Sequence, residues 1–217
     1  MKTFKYILLF SLIALFTSCG PSTKTTSSWK APEVANNFLN GKNIMVVALL
    51  PDKDRELQKQ MEEKIVSGLI GKGLSAESGF ATFGPKYLPQ SEKKALQTLS
   101  ESGADAVLTV VLLDKNKQKN YTPGNVSVRP IGYYRNWYGY YRTVYTRVYR
   151  PGYYTTSTTL IWESNLYDLG RNQLLYSTQS ETFDPSSISK IAMDYSKTLV
   201  DDMARQGLVI SKKDIFK

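Results

Sequence analysis

Five carboxylates stand where chemistry could gather. Asp52 and Asp114 each follow an apolar run, Ile44–Leu50 and Ala104–Leu113, and Asp54 lies just after Asp52. If both runs are parallel strands, Asp52 and Asp114 reach the carboxyl edge of one sheet, where open α/β sheets bind ligands. Three such carboxylates could offer oxygens to a hard cation. Asp residues after a strand are more commonly turn and helix-capping residues, and Lys115, Lys117 and Lys119 beside Asp114 oppose cation binding. Glu163 and Asp168 stand five residues apart on one expected strand, hence on opposite faces, and cannot act as a pair. Gly68-Leu69-Ile70-Gly71-Lys72-Gly73 superficially matches a phosphate loop, but that motif opens a helix and carries a hydroxyl after its lysine; this one closes a helix and reads as a C-cap. There is no histidine, which removes Ser-His-Asp and Cys-His catalysis and most zinc sites. No catalytic residue, metal ligand or cofactor is expected, and the chain reads as a non-enzyme.

The remaining reactive side chain is Cys19, the only cysteine. It has no disulfide partner within the chain. Before it come a short basic start, Met1-Lys2-Thr3-Phe4-Lys5, and an apolar run from Tyr6 to Phe16. That run has about half of the roughly 20 apolar residues a membrane-spanning helix needs, and the order basic, apolar, small is that of a secretory signal. Phe16-Thr17-Ser18-Cys19-Gly20 resembles the lipobox of bacterial lipoproteins, with Phe16 where leucine is commoner. The resemblance implies cleavage after residue 18, acylation of Cys19, and stable anchoring by several acyl chains. It also implies, from Gly20 in place of an aspartate and from the lack of an acidic run, the periplasmic face of the outer membrane. Residues 1–18 are thus expected as a signal peptide, 19–40 as a lipidated flexible tether rich in Ser and Thr, and 41–217 as a single α/β domain.

The formal charge is +9. From Lys115 to Ser157 there are eight basic residues and no acidic one, while the rest of the chain past the signal holds eighteen basic and nineteen acidic residues. All the excess charge lies in one segment. Ten of the fifteen tyrosines fall between Tyr121 and Tyr154. Tyr133, Tyr134, Trp137, Tyr138, Tyr140 and Tyr141 are interleaved with Arg135 and Arg142, and Arg147 and Arg150 follow among Tyr145 and Tyr149. Tyr, Trp and Arg combine large contact area with a polar end and are enriched at interfaces. The segment could pack on its own domain as a loop or ribbon, bind an envelope protein or peptidoglycan, or meet anionic headgroups. A pore-forming hairpin fits poorly. A barrel strand needs an uncharged lipid-facing side, and Arg142 and Arg150 fall on one side of 140–150 and Arg147 on the other. Basic residues with interleaved aromatics also suit single-stranded nucleic acid, but a secreted, anchored protein does not meet it.

Elements must position that segment. Ile44–Leu50 and Ala104–Leu113 are branched apolar runs of the kind buried on both faces of a parallel sheet. Between them, Leu57, Met61, Ile65, Leu69 and Ile70 recur at helical spacing with Glu62, Glu63 and Lys64 opposite. A short strand over Leu74–Phe80 and a helix from Ser91 through Ala95, Leu96 and Leu99 to Gly103 follow. Thr158–Asp168 and Gln173–Phe183 alternate as an antiparallel hairpin about Leu169–Asn172. Asp184-Pro185 is expected to start a last helix, buried through Ile188, Ile191, Ala192, Tyr195, Leu199 and Met203 and ended by Gly207. The order is β-α-β-α-β, a long insertion over 114–157, then a hairpin and a C-terminal helix: an α/β mixed sheet in two or three layers.

The strand 43–52 (NIMVVALLPD), the step Gly103-Ala104-Asp105 into a buried strand and the hairpin 165–177 (NLYDLGRNQLLYS) occur together. They resemble small periplasmic α/β lipoprotein domains related to the TolB N-terminal domain, the curli secretion channel subunit and the lipoprotein activators of penicillin-binding proteins. The resemblance covers about 40–113 and 158–209 and leaves the insertion unmatched. It implies a non-catalytic module that binds partners or assembles. The expected function is a membrane-anchored binding or assembly module with the Tyr/Arg segment as its contact surface. The alternative is a structural subunit of an oligomeric envelope assembly; a carboxylate-based enzyme comes last.

Overall fold

A computed structural model describes residues 22–85, 92–118 and 157–209. The elements are β1 (Thr23–Lys30), β2 (Asn43–Leu49), α1 (Arg55–Ile70), β3 (Ser75–Ser78), α2 (Gly79–Phe83), α3 (Glu92–Glu101), β4 (Ala106–Gln118), β5 (Ser157–Asp168), β6 (Gln173–Phe183) and α4 (Ile188–Arg205). One mixed sheet has the order β1-β6-β5-β4-β2-β3. β2 lies parallel to β3 and β4, and the β4–β5, β5–β6 and β1–β6 pairs are antiparallel.

Period-two alternation sends β2 and β4 into two cores. Ile44, Val46, Ala48, Ala106, Leu108 and Val110 join Met61, Ile65 and Leu69 of α1 and Tyr195, Leu199 and Met203 of α4 on one face. Met45, Val47, Val107 and Val111 meet Ala95 and Leu99 of α3 on the other, with Tyr167 and Leu174. The arrangement is therefore three layers. On the first face Trp162 and Tyr195 pack with ring centroids 5.0 Å apart. Each has its polar atom satisfied: Trp162 Nε1 donates to Thr182 Oγ1 at 3.1 Å, and Tyr195 OH lies 2.7 Å from Ser164 Oγ. Burial pushes the Tyr195 hydroxyl well above its ordinary pKa.

The hairpin falls where the alternation predicts, and Gly71–Gly73 closes α1: Gly73 has φ +82°, and Leu74 N–H reaches back to Leu69 O at 3.2 Å. Several expectations are corrected. The stretch 19–40, expected as a flexible tether, contains β1; Thr23 to Lys30 pair with β6 from Thr182 back to Tyr176. Its Ser/Thr composition hid an edge strand whose hydroxyls face polar partners. Glu62, placed by periodicity on the wet side of α1, is fully buried, and Ile70 is exposed. The expected strand over 74–80 stops at Ser78, where α2 begins. β4, expected to end at Leu113, runs on to Gln118, so 114–118 belongs to the sheet rather than to the insertion. Asp54 stands at the N-cap of α1 but makes no capping bond through its side chain. Finally, α4 starts at Ile188 rather than at Pro185. Asp184 N–H still donates to Thr158 O in the sheet, and Ser187 caps the helix by accepting Lys190 N–H. That leaves Ile188 at the helix tip, exposed.

Candidate functional site

Among the described residues, the carboxylates that the sequence brings forward form no group of three that could hold a metal. Asp52 accepts from Arg55 at 3.3 Å. Asp114 accepts Lys115 N–H at 2.7 Å and Asn116 Nδ2 at 2.8 Å. Glu163 and Asp168 face opposite ways, as their spacing requires; Asp168 accepts Arg171 N–H at 2.9 Å and shapes the hairpin turn. Asp105 of the Gly-Ala-Asp step accepts Asn43 N–H at 2.8 Å and so fastens the start of β2 to the start of β4. Among the described residues, no three His, Cys, Asp or Glu side chains come together in a way that could hold a metal. A shallow groove beside Lys42, Asp105 and Asp168 opens at the amino end of β4, the end opposite that at which such sheets bind ligands.

Three buried acids that sequence reasoning passed over carry the polar architecture. Glu62 Oε1 accepts Ala48 N–H at 2.8 Å, while Oε2 accepts Ser78 Oγ and Phe80 N–H, both at 2.7 Å. β3 pairs with β2 only from Asn43 to Val46, so on the side away from β4 no strand lies beside Ala48, and the Glu62 carboxylate stands in for one while receiving an orphan N–H of α2. Asp202 Oδ2 accepts Ser28 Oγ at 2.5 Å and Tyr176 OH at 2.6 Å, and Oδ1 accepts Arg205 at 2.8 Å. Burial, reinforced by Asp202, drives the Tyr176 hydroxyl well above its ordinary pKa. Asp194 Oδ2 accepts both Ser22 N–H and Ser22 Oγ, and Oδ1 accepts Lys190. Together Asp194 and Asp202 fasten both ends of β1 to α4. A helical spacing of eight residues between two acids, opposite a serine-rich strand, is the only signal the sequence offers for this.

On the second face the sheet turns polar along β5 and β6. Glu163 accepts Asn165 Nδ2 at 2.9 Å and Gln179 Nε2 at 3.0 Å, and all three are buried. Thr109 Oγ1 donates to Asn165 O at 3.1 Å. Among the described residues, the side chains that hydrogen-bond to this carboxylate are two neutral amides, which hold it in place.

Cys19 and the expected contact residues Tyr133, Tyr134, Arg135, Trp137, Tyr138, Tyr140, Tyr141, Arg142, Arg147 and Arg150 lie outside the described residues. What the fold does fix is the exit of their segment. β4 and β5 stay paired up to Gln118 opposite Ser157, past the last β2–β4 pair at Leu49 and Val111. Thr159 pairs with Phe183, and Thr182 with Thr23. The segment therefore leaves from the edge of the sheet at which β1 begins. No described helix is long and apolar enough to cross a membrane.

No protein-family profile matches the chain, and no curated protein matches it. Among solved structures, the chain matches the PelC dodecamer of Paraburkholderia phytofirmans at 13% identity and TM-score 0.42, covering 83% of this chain and 96% of that one. A PDZ domain protein of Parabacteroides distasonis matches at 12% identity and TM-score 0.45, over 90% of this chain and 39% of that one. Lipoprotein GNA1162 of Neisseria meningitidis matches at 15% identity and TM-score 0.41, over 76% and 99%. At such identities and scores, none of the three assigns this chain a family or an activity.

Proposed function

We propose that this chain is an envelope lipoprotein, acylated on Cys19 and held at the periplasmic face of the outer membrane, where it acts as a non-catalytic binding or assembly module. The observation that carries the reading is the lone Cys19, set directly after a short apolar run with a basic start in a chain without histidine. Acylation consumes the one thiol. The buried carboxylates support the non-catalytic part: Glu62, Asp194 and Asp202 are engaged by backbone and side-chain donors that hold elements together. The Tyr/Arg-rich segment is the contact surface, because all the excess positive charge and most of the tyrosines gather in it, and β4 and β5 present it from one sheet edge.

Intact-mass measurement of the protein purified from envelopes tests the anchor: acyl mass on an N-terminal Cys19 is expected, and a free thiol or an uncleaved leader overturns it. Capture from envelope extract, with the intact protein against a variant lacking 121–154, tests the contact surface. Identical partner lists overturn that assignment. Ring-sized species in light scattering of the purified protein, with no dependence on 121–154, would favour a structural subunit instead.

A further inference from the structure

The start of β1 fixes how the domain sits on the membrane. Only Gly20 and Pro21 separate Cys19 from Ser22, and an extended chain advances at most 3.3–3.6 Å per residue, so Ser22 stays within about 11 Å of the acylated residue. A flexible tether running to residue 40 would have averaged about 25 Å. Ser22 is itself fixed: its carbonyl accepts Phe183 N–H at 2.9 Å, and its own N–H and hydroxyl are held by Asp194. The corner of the domain around Ser22 therefore cannot stand clear of the bilayer surface.

That corner carries two exposed apolar side chains among polar ones. Phe183, at the end of β6, is 63% exposed, and Ile188, at the tip of α4, is 42% exposed. Both belong to the small set of large exposed apolar side chains among the described residues. Phe183 touches Ser22 through the backbone, and Ile188 opens the helix whose Asp194 grips Ser22. Among the described residues the charges at this corner are mixed, with Asp184 exposed and Lys24 beside Glu181 at 3.8 Å; the basic 119–156 segment leaves from the same edge. Apolar and aromatic side chains on an anchored surface enter the headgroup boundary by some 5–10 Å.

Resting on the lipidation of Cys19, we infer that Phe183 and Ile188 insert into the lipid surface and seat the domain with this edge on the membrane and the 169–172 turn pointing away. β6 spans the distance between the two ends, about 33 Å from Phe183 to Gln173.

With Cys19 acylated, a cysteine placed elsewhere is a unique label site. Lipidated full-length protein carrying Ser186→Cys or Gly170→Cys is labelled with an environment-sensitive fluorophore and reconstituted in phosphatidylethanolamine/phosphatidylglycerol vesicles. The expected result is blue-shifted emission, quenched by shallow spin-labelled lipid, at 186 but not at 170. Adding Phe183→Ser and Ile188→Ser should abolish the shift and the quenching at 186 while the protein still floats with the vesicles. Equal, water-like emission at both positions in floating protein overturns the seating and leaves the anchor intact. Protein that does not float, with a free Cys19 thiol by mass, overturns the lipidation reading instead.

Discussion

Ser22 places its backbone N–H 2.9 Å and its hydroxyl 2.7 Å from the same oxygen of Asp194, across 172 residues of sequence. Lys190 completes the site at 2.8 Å on the other oxygen. Asp194→Ala takes the acceptor from the Ser22 N–H and hydroxyl, and one ion-pair partner from Lys190, at a position where the acid is only 5% exposed. A loss of about 1–3 kcal/mol is expected, the usual cost of leaving such groups unpaired. Hydrogen exchange should localise the damage, with faster exchange across Thr23–Lys30 while the β4–β5 pair stays protected. Uniform protection in the variant would refute the clamp.

The same residue sets a pH dependence. Burial alone would raise the Asp194 carboxyl, but the hydrogen bonds from Lys190 and Ser22 outweigh it and hold the group below the ordinary carboxylate value. A group with a depressed folded pKa stabilises fully above its unfolded pKa and loses that contribution as pH falls through the folded one. Wild type and Asp194→Ala should therefore differ most near neutrality, and their stability curves should converge in acid. Denaturant titrations at several pH values read this directly; a gap that widens on acidification would contradict the sign.

Glu62→Gln is expected to be more damaging than its small chemical change suggests. Both carboxylate oxygens face donors, Ala48 N–H on one side and Phe80 N–H with Ser78 Oγ on the other. Whichever way the amide turns, its NH₂ meets a backbone N–H. About 2–4 kcal/mol should be lost, since charge-assisted bonds become weaker and one donor is left unpaired. Thermal unfolding of the variant measures it, and a change under 0.5 kcal/mol would mean Glu62 is not the acceptor that closes β2.

These two acids also mark where sequence reading reached its limit. The strands 43–49 and 106–113 and the hairpin 157–183 were legible because each buries an apolar face with a clear period. Glu62 flanks the stripe of Met61 and Ile65 and reads as a solvated charge, because periodicity registers hydrophobicity and cannot see an orphan N–H waiting opposite. β1 was illegible for the complementary reason: Thr23, Ser28 and their neighbours bury hydroxyls against Thr182 and Asp202, so no apolar alternation announces the strand. Of the candidate site, the clustering of charge and tyrosine could be read directly. Its exit edge could be inferred from strand order alone. The short link between Cys19 and the folded domain could not, since it depends on that hidden strand.

Tyr176 and Asp202 offer a graded test of the second β1 fastening. Tyr176→Phe removes one donor and leaves Asp202 still bonded to Ser28 and Arg205, so a loss of about 1 kcal/mol is expected. Asp202→Ala instead leaves the buried Tyr176 hydroxyl without its acceptor and releases Ser28, for about 2–4 kcal/mol. In the double variant the two effects should not add, because they share one bond. Chemical denaturation of the four proteins gives the coupling; strict additivity would show that the pair is not coupled.

Replacing 119–156 with Asn-Gly should leave a folded domain. Gln118 and Ser157 sit directly opposite each other at the end of an antiparallel ladder, the geometry that a two-residue type I′ turn closes. The strands need no help from their connection, since β4 and β5 bury Leu108, Val110, Trp162 and Leu166 against α1 and α4. Any part of the second face that becomes wet along β5 and β6 carries Glu163, Asn165 and Gln179, which already bond one another and hydrate at small cost. A midpoint change within about 2–4 °C is expected, the shift that roughly 1 kcal/mol produces in a domain of this size. Near-ultraviolet circular dichroism should be retained where it reports Trp162, which packs on Tyr195 far from the cut. A variant that binds hydrophobic dye and loses its cooperative transition would mean that the tyrosines of the segment complete the core. They would then not be available as a contact surface, and the assignment of Tyr133 to Arg150 to partner binding would fall with the fold.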